Sequence, residues 1–455
     1  MLNPKIFKAY DIRGVVPDEL DEDGISEIAK SVITLFGPKS IQVGRDMRVS
    51  SESLHEAFSR TLLDYGVDVV DLGTVSTDML YFAAGTAEHD LAVTISASHN
   101  PKQFNGLKIV KKGAVGVSGE TGIYKLRDIA LKKSFVKKTG KKGKLSSRDI
   151  MDDWVSHVLS FVNIDKLSKL SVVIDAGNGM AGHFLPHIER WLPWKVERMY
   201  YELDGTFPNH PPSPLEKENL RDVIKKVKAT KADLGMAFDG DGDRVFLTDE
   251  KGQVLTGTVM TAMIADNLLK EDSCNTVLYN AIVGRIVPEI VTLRGGEPCR
   301  VKVGHATIKQ KMREHNAIFA GEHSGHYYFR DNFFADSAII AALLVTELLS
   351  QEKVPLSVLA QKYKKYSQSG ELNFRTDRKE KIIKDVEKKY SVGAKSVDHL
   401  DGLSVWLDTY WFNLRPSNTE PLLRLNVEGD NRKIVGGAAK DLTKFIASHG
   451  AVRAA

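Results

Sequence analysis

Only two cysteines occur in 455 residues, Cys274 and Cys299. Two such residues supply neither a disulfide framework nor a metal-binding pair, so a reducing compartment is expected. Long apolar runs are also missing. The most apolar stretch, residues 338–345, lies between Asp336 and Glu347. It is too short to span a bilayer and reads as a buried core helix. The opening residues, MLNPKIFKAYDIRG, have no apolar run of the secretory type. A cytoplasmic protein with no membrane partner is the expectation. Charge of one sign is not in excess either, with 63 basic and 59 acidic residues and a net charge of +4. Nucleic-acid binders show a larger or more clustered basic surplus, so no nucleic-acid partner is expected. Seven lysines do fall within residues 132–144. Few aromatics accompany them, and a solvated loop or hairpin near a domain boundary explains them better than a polybasic patch.

What is present is ordinary globular material, 42% hydrophobic and 27% charged. At about 100–200 residues per domain, the length suggests three or four domains. Strand-like runs alternate with helical patterns. Residues 25–36 read as a helix closed by Gly37-Pro38, residues 41–43 as a strand, residues 52–65 as a helix closed by Gly66, and residues 67–72 as a strand. That alternation indicates parallel α/β structure. It continues through strands predicted at 276–279, 300–303 and 317–320. The segments divide as residues 1–146, 147–252, 253–366 and 367–455.

Each segment carries one dense polar loop. In the first, the apolar residues 91–93 run into TISASHNP, residues 94–101, followed by FNGLK. A strand that ends in small polar residues places them at its carboxyl end, where open α/β sheets bind ligands. Ser98 has His99 beside it and a turn at Asn100-Pro101 after it. It is the candidate nucleophile or phosphate carrier, with Lys108 as a cation the loop can bring back to it. An ordinary polar loop is the alternative. The second segment contains Gly177-x-Gly179-x-x-Gly182. That spacing matches a dinucleotide fingerprint, which also wants an acidic residue at a strand end about 20 residues on. Asp204 falls near that distance but in the Pro-rich loop DGTFPNHPPSP, so a tight strand-to-helix turn needing glycine is the simpler account. Further on, Asp239, Asp241 and Asp243 alternate with glycines between two apolar runs. Period-two spacing aims the three carboxylates to one side, and hard oxygen ligands suit Mg2+. An EF-hand places Asp239, Asp241, Asp243 and Glu250 at positions 1, 3, 5 and 12, but Arg244 occupies the sixth position, where the loop needs glycine. In the third segment a strand empties into GEHSGH, where Glu322, His323, Ser324 and His326 offer donors and acceptors for a polyol. The fourth has RPSNTEP, where Arg415, Ser417, Asn418 and Thr419 suit a phosphate oxyanion.

Seven motifs in order, YDIRG, TISASHNP, DAGNG, DGTFPNH, DGDGDR, GEHSGH and RPSNTEP, make the chain resemble the α-D-phosphohexomutases along its whole length, specifically the phosphomannomutase/phosphoglucomutase branch. The resemblance implies three related mixed α/β domains and a smaller, mobile C-terminal α+β domain around a central cleft. It implies a cytoplasmic isomerase of carbohydrate metabolism that shifts phosphate between C6 and C1 of mannose phosphates, with the glucose pair second. It makes Ser98 the phosphoserine and a metal ligand with Asp239, Asp241 and Asp243. Arg13, His99 and Lys108 would act around proton and phosphoryl transfer. Tyr10, Arg244, His305, Glu322, His323, Ser324, His326, Arg415, Ser417, Asn418 and Thr419 would bind substrate. Mg2+ and a hexose 1,6-bisphosphate, the intermediate that turns end for end, are the implied cofactors. Sugar phosphates are the partners, and a monomer or weak homodimer is implied. A phosphoglucosamine mutase is the alternative within the family, and an NAD-dependent oxidoreductase or a Ca2+-binding module the alternatives outside it. Two departures stand out. His323 replaces the methionine frequent in GEMSGH, and Arg285 follows the strand at 276–280 where the branch has a basic residue earlier in the loop.

Overall fold

The computed structural model describes residues 2–138, 140–272, 274–417 and 421–454. They fall into two compact units, Met1–Thr256 with Ser324–Leu359, and Gly257–His323 with Ala360–Ala455.

The first unit holds two sheets. In one, the strands run in the order Ile12–Val15, Phe104–Lys111, Leu91–Ile95, Ser40–Arg45, Asp68–Thr74, Leu145–Ser147. Ser40–Arg45 lies parallel to both of its neighbours. Those parallel strands are joined by helices Ser51–Asp64 and Thr77–Thr86, as the alternating pattern predicts. Helix Glu22–Phe36 starts where the Asp21 side chain accepts from Gly24 N and stops at Gly37 in the left-handed region. Such caps are how short polar residues and glycine delimit helices. In the other sheet the order is Val245–Asp249, Leu234–Phe238, Leu170–Asp175, Trp194–Met199. The apolar segment seen in the sequence is the helix Ala338–Glu352, with twelve buried residues. Ser337 caps it by accepting from Ile340 N and also donates to Asp78 at 2.6 Å, tying it to helix Thr77–Thr86. No helix among the described residues is long and apolar enough to cross a membrane. The lysine-rich stretch is exposed, and Lys133 pairs with Glu27 and Lys138 with Asp64.

The second unit begins with three parallel strands, ordered Glu297–Val301, Thr276–Asn280, Phe319–Gly321. The first of these ends two residues before the sequence-based limit. Glu297 and Pro298 already pair with Thr276 and Val277, while Gly304, at φ 132°, turns the chain into helix His305–His315. The C-terminal part is a six-stranded antiparallel sheet whose apolar face shares one core with helices Lys379–Tyr390 and Arg432–Ser448. Three mixed α/β sheets and a terminal α+β layer are thus present.

Candidate active site

Ser98 sits at the carboxyl end of strand Leu91–Ile95, on a loop held from below by a residue whose role the sequence did not reveal. Arg48, with its side chain fully buried, donates from Nη2 to the carbonyls of Ser98 (2.7 Å) and Asn100 (2.6 Å). From Nη1 it donates to Pro101 (2.9 Å) and Phe104 (3.0 Å). One guanidinium thereby satisfies four carbonyls that a tight loop cannot pair with itself. Arg13 adds a bond from Nη1 to the Ala97 carbonyl at 3.2 Å and another to Asn100 Oδ1, and is itself paired with Asp11 at 2.7 Å. Held this way, Ser98 adopts φ 51°, a left-handed conformation uncommon for a residue with a side chain. Ser96 contributes differently, its Oγ accepting from Ser98 N at 3.0 Å. It shapes the loop, and Ser98 is the serine that faces the acidic cluster.

That cluster comes from the hairpin Leu234–Phe238 and Val245–Asp249. Two antiparallel strands flank the aspartates where an EF-hand needs helices. Glu250 instead accepts from Ser357 N at 3.0 Å, so the Ca2+-loop alternative fails on geometry. Asp239, Asp241 and Asp243 are buried, with ligand atoms within 4.8 Å of one another. Ser98 Oγ donates to Asp239 Oδ2 at 3.3 Å. Asp239 Oδ1 is held by the N–H groups of Asp243 and Arg244, both at 3.1 Å. Lys108 Nζ lies 2.6 Å from Asp241 Oδ2 and 2.8 Å from Asp243 Oδ2. Thr77 Oγ1, at the start of its helix, also donates to Asp241. Burial, then the Asp243 and Asp241 charges, pushes the Asp239 carboxyl well above the ordinary range. Burial acts the same way on Asp241, but Lys108 and its hydrogen bonds prevail and hold it well below. Among the described residues, the Oδ1 atoms of Asp241 and Asp243 are buried with no hydrogen-bond partner. Orphaned carboxylate oxygens converging beside a serine fit a hard divalent cation such as Mg2+.

His99 Nδ1 is 3.2 Å from Ser98 Oγ and accepts from Arg244 Nη2 at 2.9 Å. Burial, reinforced by the Arg244 and Arg13 charges, holds this imidazole well below its usual pKa, so it is neutral near pH 7. Arg244 Nε donates to His326 Nε2 at 3.1 Å, and His326 Nδ1 faces Ser324 Oγ at 3.1 Å. Tyr10 lies half-buried next to Asp11. Thus Ser98, His99, Lys108, Arg13, the three aspartates, Arg244, Ser324 and His326 all belong to the first unit.

The glycine pattern at 177–182 has a structural cause. A Cβ on Gly179 would lie 2.7 Å from the Gly240 carbonyl, and one on Gly182 2.0 Å from the Tyr201 carbonyl. The turn backs directly onto the aspartate loop, which leaves no room for a side chain. Asp204 is engaged in its own turn, accepting from Thr206 N and Oγ1. These contacts account for the fingerprint spacing without a dinucleotide.

The second unit carries the remaining candidates. Glu322 and His323 follow strand Phe319–Gly321, and Asn280 bonds to both. His305 opens helix His305–His315. Arg415 is buried and paired with Glu371 at 3.1 Å. Ser417 pairs through its backbone with Leu422, and Asn418 and Thr419 lie outside the described residues. Arg285 follows the strand Thr276–Asn280. It is held by Glu428 at 3.2 Å and Asp430 at 3.0 Å and lies 3.9 Å over the Tyr366 ring.

Comparison with known proteins agrees with this geometry. Residues 4–137, 152–252 and 256–366 match the phosphoglucomutase/phosphomannomutase alpha/beta/alpha domains I, II and III, and residues 371–444 match the C-terminal domain. A phosphomannomutase of Vibrio cholerae is 37% identical over 97% of this chain and 98% of its own. One from Escherichia coli K12 is 38% identical over 93% and 94%. The crystal structure of a phosphoglucomutase/phosphomannomutase family protein from Burkholderia thailandensis superposes with a TM-score of 0.92 at 32% identity, covering both chains fully. With all four domains matched in order, and a buried serine set against three aspartates between the first two, the chain belongs to the phosphoglucomutase/phosphomannomutase family.

Proposed function

We propose that this protein interconverts mannose 6-phosphate and mannose 1-phosphate, accepts the glucose pair as well, and carries the phosphate on Ser98 between half-reactions. The chain is a hexose-phosphate mutase by family, an isomerase that moves a phosphoryl group within its substrate. The observation that carries the assignment of Ser98 is its position. Its hydroxyl is 3.3 Å from Asp239, in a cluster of three buried carboxylates already balanced in part by Lys108. Three carboxylates this close repel one another unless a cation balances them, and a divalent cation that does so also neutralises a phosphate.

Asp239, Asp241 and Asp243, with a Ser98 phosphate oxygen, would hold Mg2+. When bound, the ion neutralises charge on the phosphoryl group in flight. The protein's own groups do the rest. Lys108 offsets two carboxylates. His99, neutral, stands ready to take the Ser98 hydroxyl proton when phosphate returns to it. Arg244 faces the same imidazole and His326, so a phosphate that draws its guanidinium away frees Nδ1 for that proton. Arg13 and Arg48 keep the loop from shifting as charge arrives. Glu322, Ser324 and His326 would take sugar hydroxyls, and Arg415, Ser417, Asn418 and Thr419 the phosphate not being transferred. A hexose 1,6-bisphosphate serves as intermediate and primer.

The test is direct turnover with Mg2+ and a trace of glucose 1,6-bisphosphate, with mannose 1-phosphate, glucose 1-phosphate and glucosamine 1-phosphate measured under identical conditions. Mannose and glucose phosphates are expected to be converted, with activity lost on chelation and restored by Mg2+. Failure with both hexoses, or a clear preference for the amino sugar, would overturn the assignment.

A further inference from the structure

We propose that Thr77 is a positioning residue for the cation site: its hydroxyl fixes the Asp241 carboxylate against Lys108 and so sets how tightly the aspartate loop holds a divalent ion. The proposal deepens the mutase reading and rests on its assignment of Asp239, Asp241 and Asp243 as metal ligands. Thr77 is 1% exposed and opens helix Thr77–Thr86, just past the carboxyl end of strand Asp68–Thr74. Ser76 caps that helix by accepting from Met79 N at 3.2 Å, which pins its start. The aspartate loop comes from the other sheet of the same unit. The two sheets meet closely here, since a Cβ on Gly240 would lie 2.5 Å from the Ser98 carbonyl.

Thr77 grips Asp241 twice. Its N–H donates to the Asp241 carbonyl at 3.3 Å, and its Oγ1 donates to the carboxylate at Oδ2. The direction of the second bond follows from its neighbour. Lys108 Nζ lies 3.1 Å from the same Oγ1. An ammonium has hydrogens and no lone pair, so the hydroxyl accepts from Lys108 and its single hydrogen is left for Asp241. The ammonium spends its other hydrogens on Asp241 Oδ2 at 2.6 Å and Asp243 Oδ2 at 2.8 Å. Hydroxyl and ammonium thus converge on Oδ2 of Asp241. Its Oδ1, among the described residues, is buried with no hydrogen-bond partner. One oxygen is committed to the protein, and the other is kept for an ion. Without the hydroxyl, Lys108 alone orients the carboxylate, which can turn about its Cβ–Cγ bond and offer either oxygen to the ammonium. Groups that orient metal ligands from outside commonly change affinity by about 10–100-fold when they are lost.

The test measures Mn2+ binding to metal-free wild type, Thr77→Val and Thr77→Ser by electron paramagnetic resonance, without sugar and with Mg2+ as competitor. Mn2+ is a hard ion suited to the same carboxylates. Valine keeps the shape and the backbone N–H and removes the hydroxyl, whereas serine keeps the hydroxyl. The Kd for Mn2+ is expected to rise about 10–100-fold in Thr77→Val and to stay within about threefold of wild type in Thr77→Ser. In turnover, the Mg2+ needed for half-maximal rate should rise by the same factor in Thr77→Val, while kcat at saturating Mg2+ stays within about tenfold. A general loosening of the fold would not be rescued by metal in this way. An unchanged Kd in folded Thr77→Val, or equal weakening in Thr77→Ser, would overturn the proposal. If Thr77→Val does not fold, Thr77→Ala takes its place under the same criteria. Wild type that binds no Mn2+ would sink the metal assignment itself, and this proposal with it.

Discussion

Replacing Arg48 with methionine separates a positioned serine from one that merely lies in a polar loop. Arg48→Met keeps length and apolar bulk and removes every N–H. The carbonyls of Ser98, Asn100, Pro101 and Phe104 then lose their donors, and Asp46, 3.4 Å from Nε, loses its charge partner. An orphaned buried acceptor costs about 1–3 kcal/mol, and removing one member of a buried ion pair about 3–5 kcal/mol. The losses overlap, and the loop can relax toward water, so a net destabilisation of about 3–5 kcal/mol is expected. Relaxation moves Ser98, and a shift of about 1 Å in a reacting group is worth about 100-fold in rate. Lysine at 48 offers a single ammonium that cannot reach four divergent carbonyls, so Arg48→Lys should fall between. Thermal unfolding gives the stability change, and single-turnover phosphate transfer gives the rate. A folded Arg48→Met protein with Tm unchanged and kcat within about threefold of wild type would refute the reasoning.

Three further outcomes follow from the same contacts. Burial raises the Asp78 carboxyl to about 7, against hydrogen bonds from Ser337 and Asn332. Its neutral form stabilises the fold fully below the unfolded carboxyl's ordinary pKa, and that contribution is lost as pH rises toward about 7. The stability of Asp78→Asn relative to wild type should therefore improve by roughly 3 kcal/mol between about pH 4 and about pH 8, read from denaturation midpoints. Arg285→Met strips Glu428 of a partner it shares with Trp411 and Gln368, so the unfolding transition of the second unit should move down by about 2–4 kcal/mol while KM stays within about threefold. Gly182→Ala would drive a Cβ into the Tyr201 carbonyl, and the accumulation of folded protein should drop sharply, whereas Gly436→Ala, with open space around it, should be neutral or stabilising in circular-dichroism melts.

Much of the architecture was legible because the signals were local. Apolar runs stopping in polar loops gave strand ends, Gly37 and Gly66 gave helix ends, and the uninterrupted run at 338–345 gave a core helix. The aspartate loop was legible because period two is a property of extended chain. What stayed hidden depends on the partner across space. Arg48 looks like a residue entering a helix until its four carbonyls are seen. Thr77 looks like a helix start until it meets Asp241. Arg285 looks like a basic residue after a strand until Glu428 and Asp430, more than 140 positions further along, are seen to hold it. Asn280 gave no signal at all, since a strand-terminal asparagine is commonplace and only the parallel register shows that it faces Glu322 and His323.

Ser98 is proposed to carry the phosphate, and the most direct measurement is the site of covalent phosphate after exposure to glucose 1,6-bisphosphate and Mg2+. Peptide mapping by mass spectrometry should find one phosphoryl group on Ser98 in wild type and in Ser96→Ala, lost on addition of sugar monophosphate, and none in Ser98→Ala. Phosphate on another residue, or equal labelling of Ser98→Ala and wild type, would contradict it.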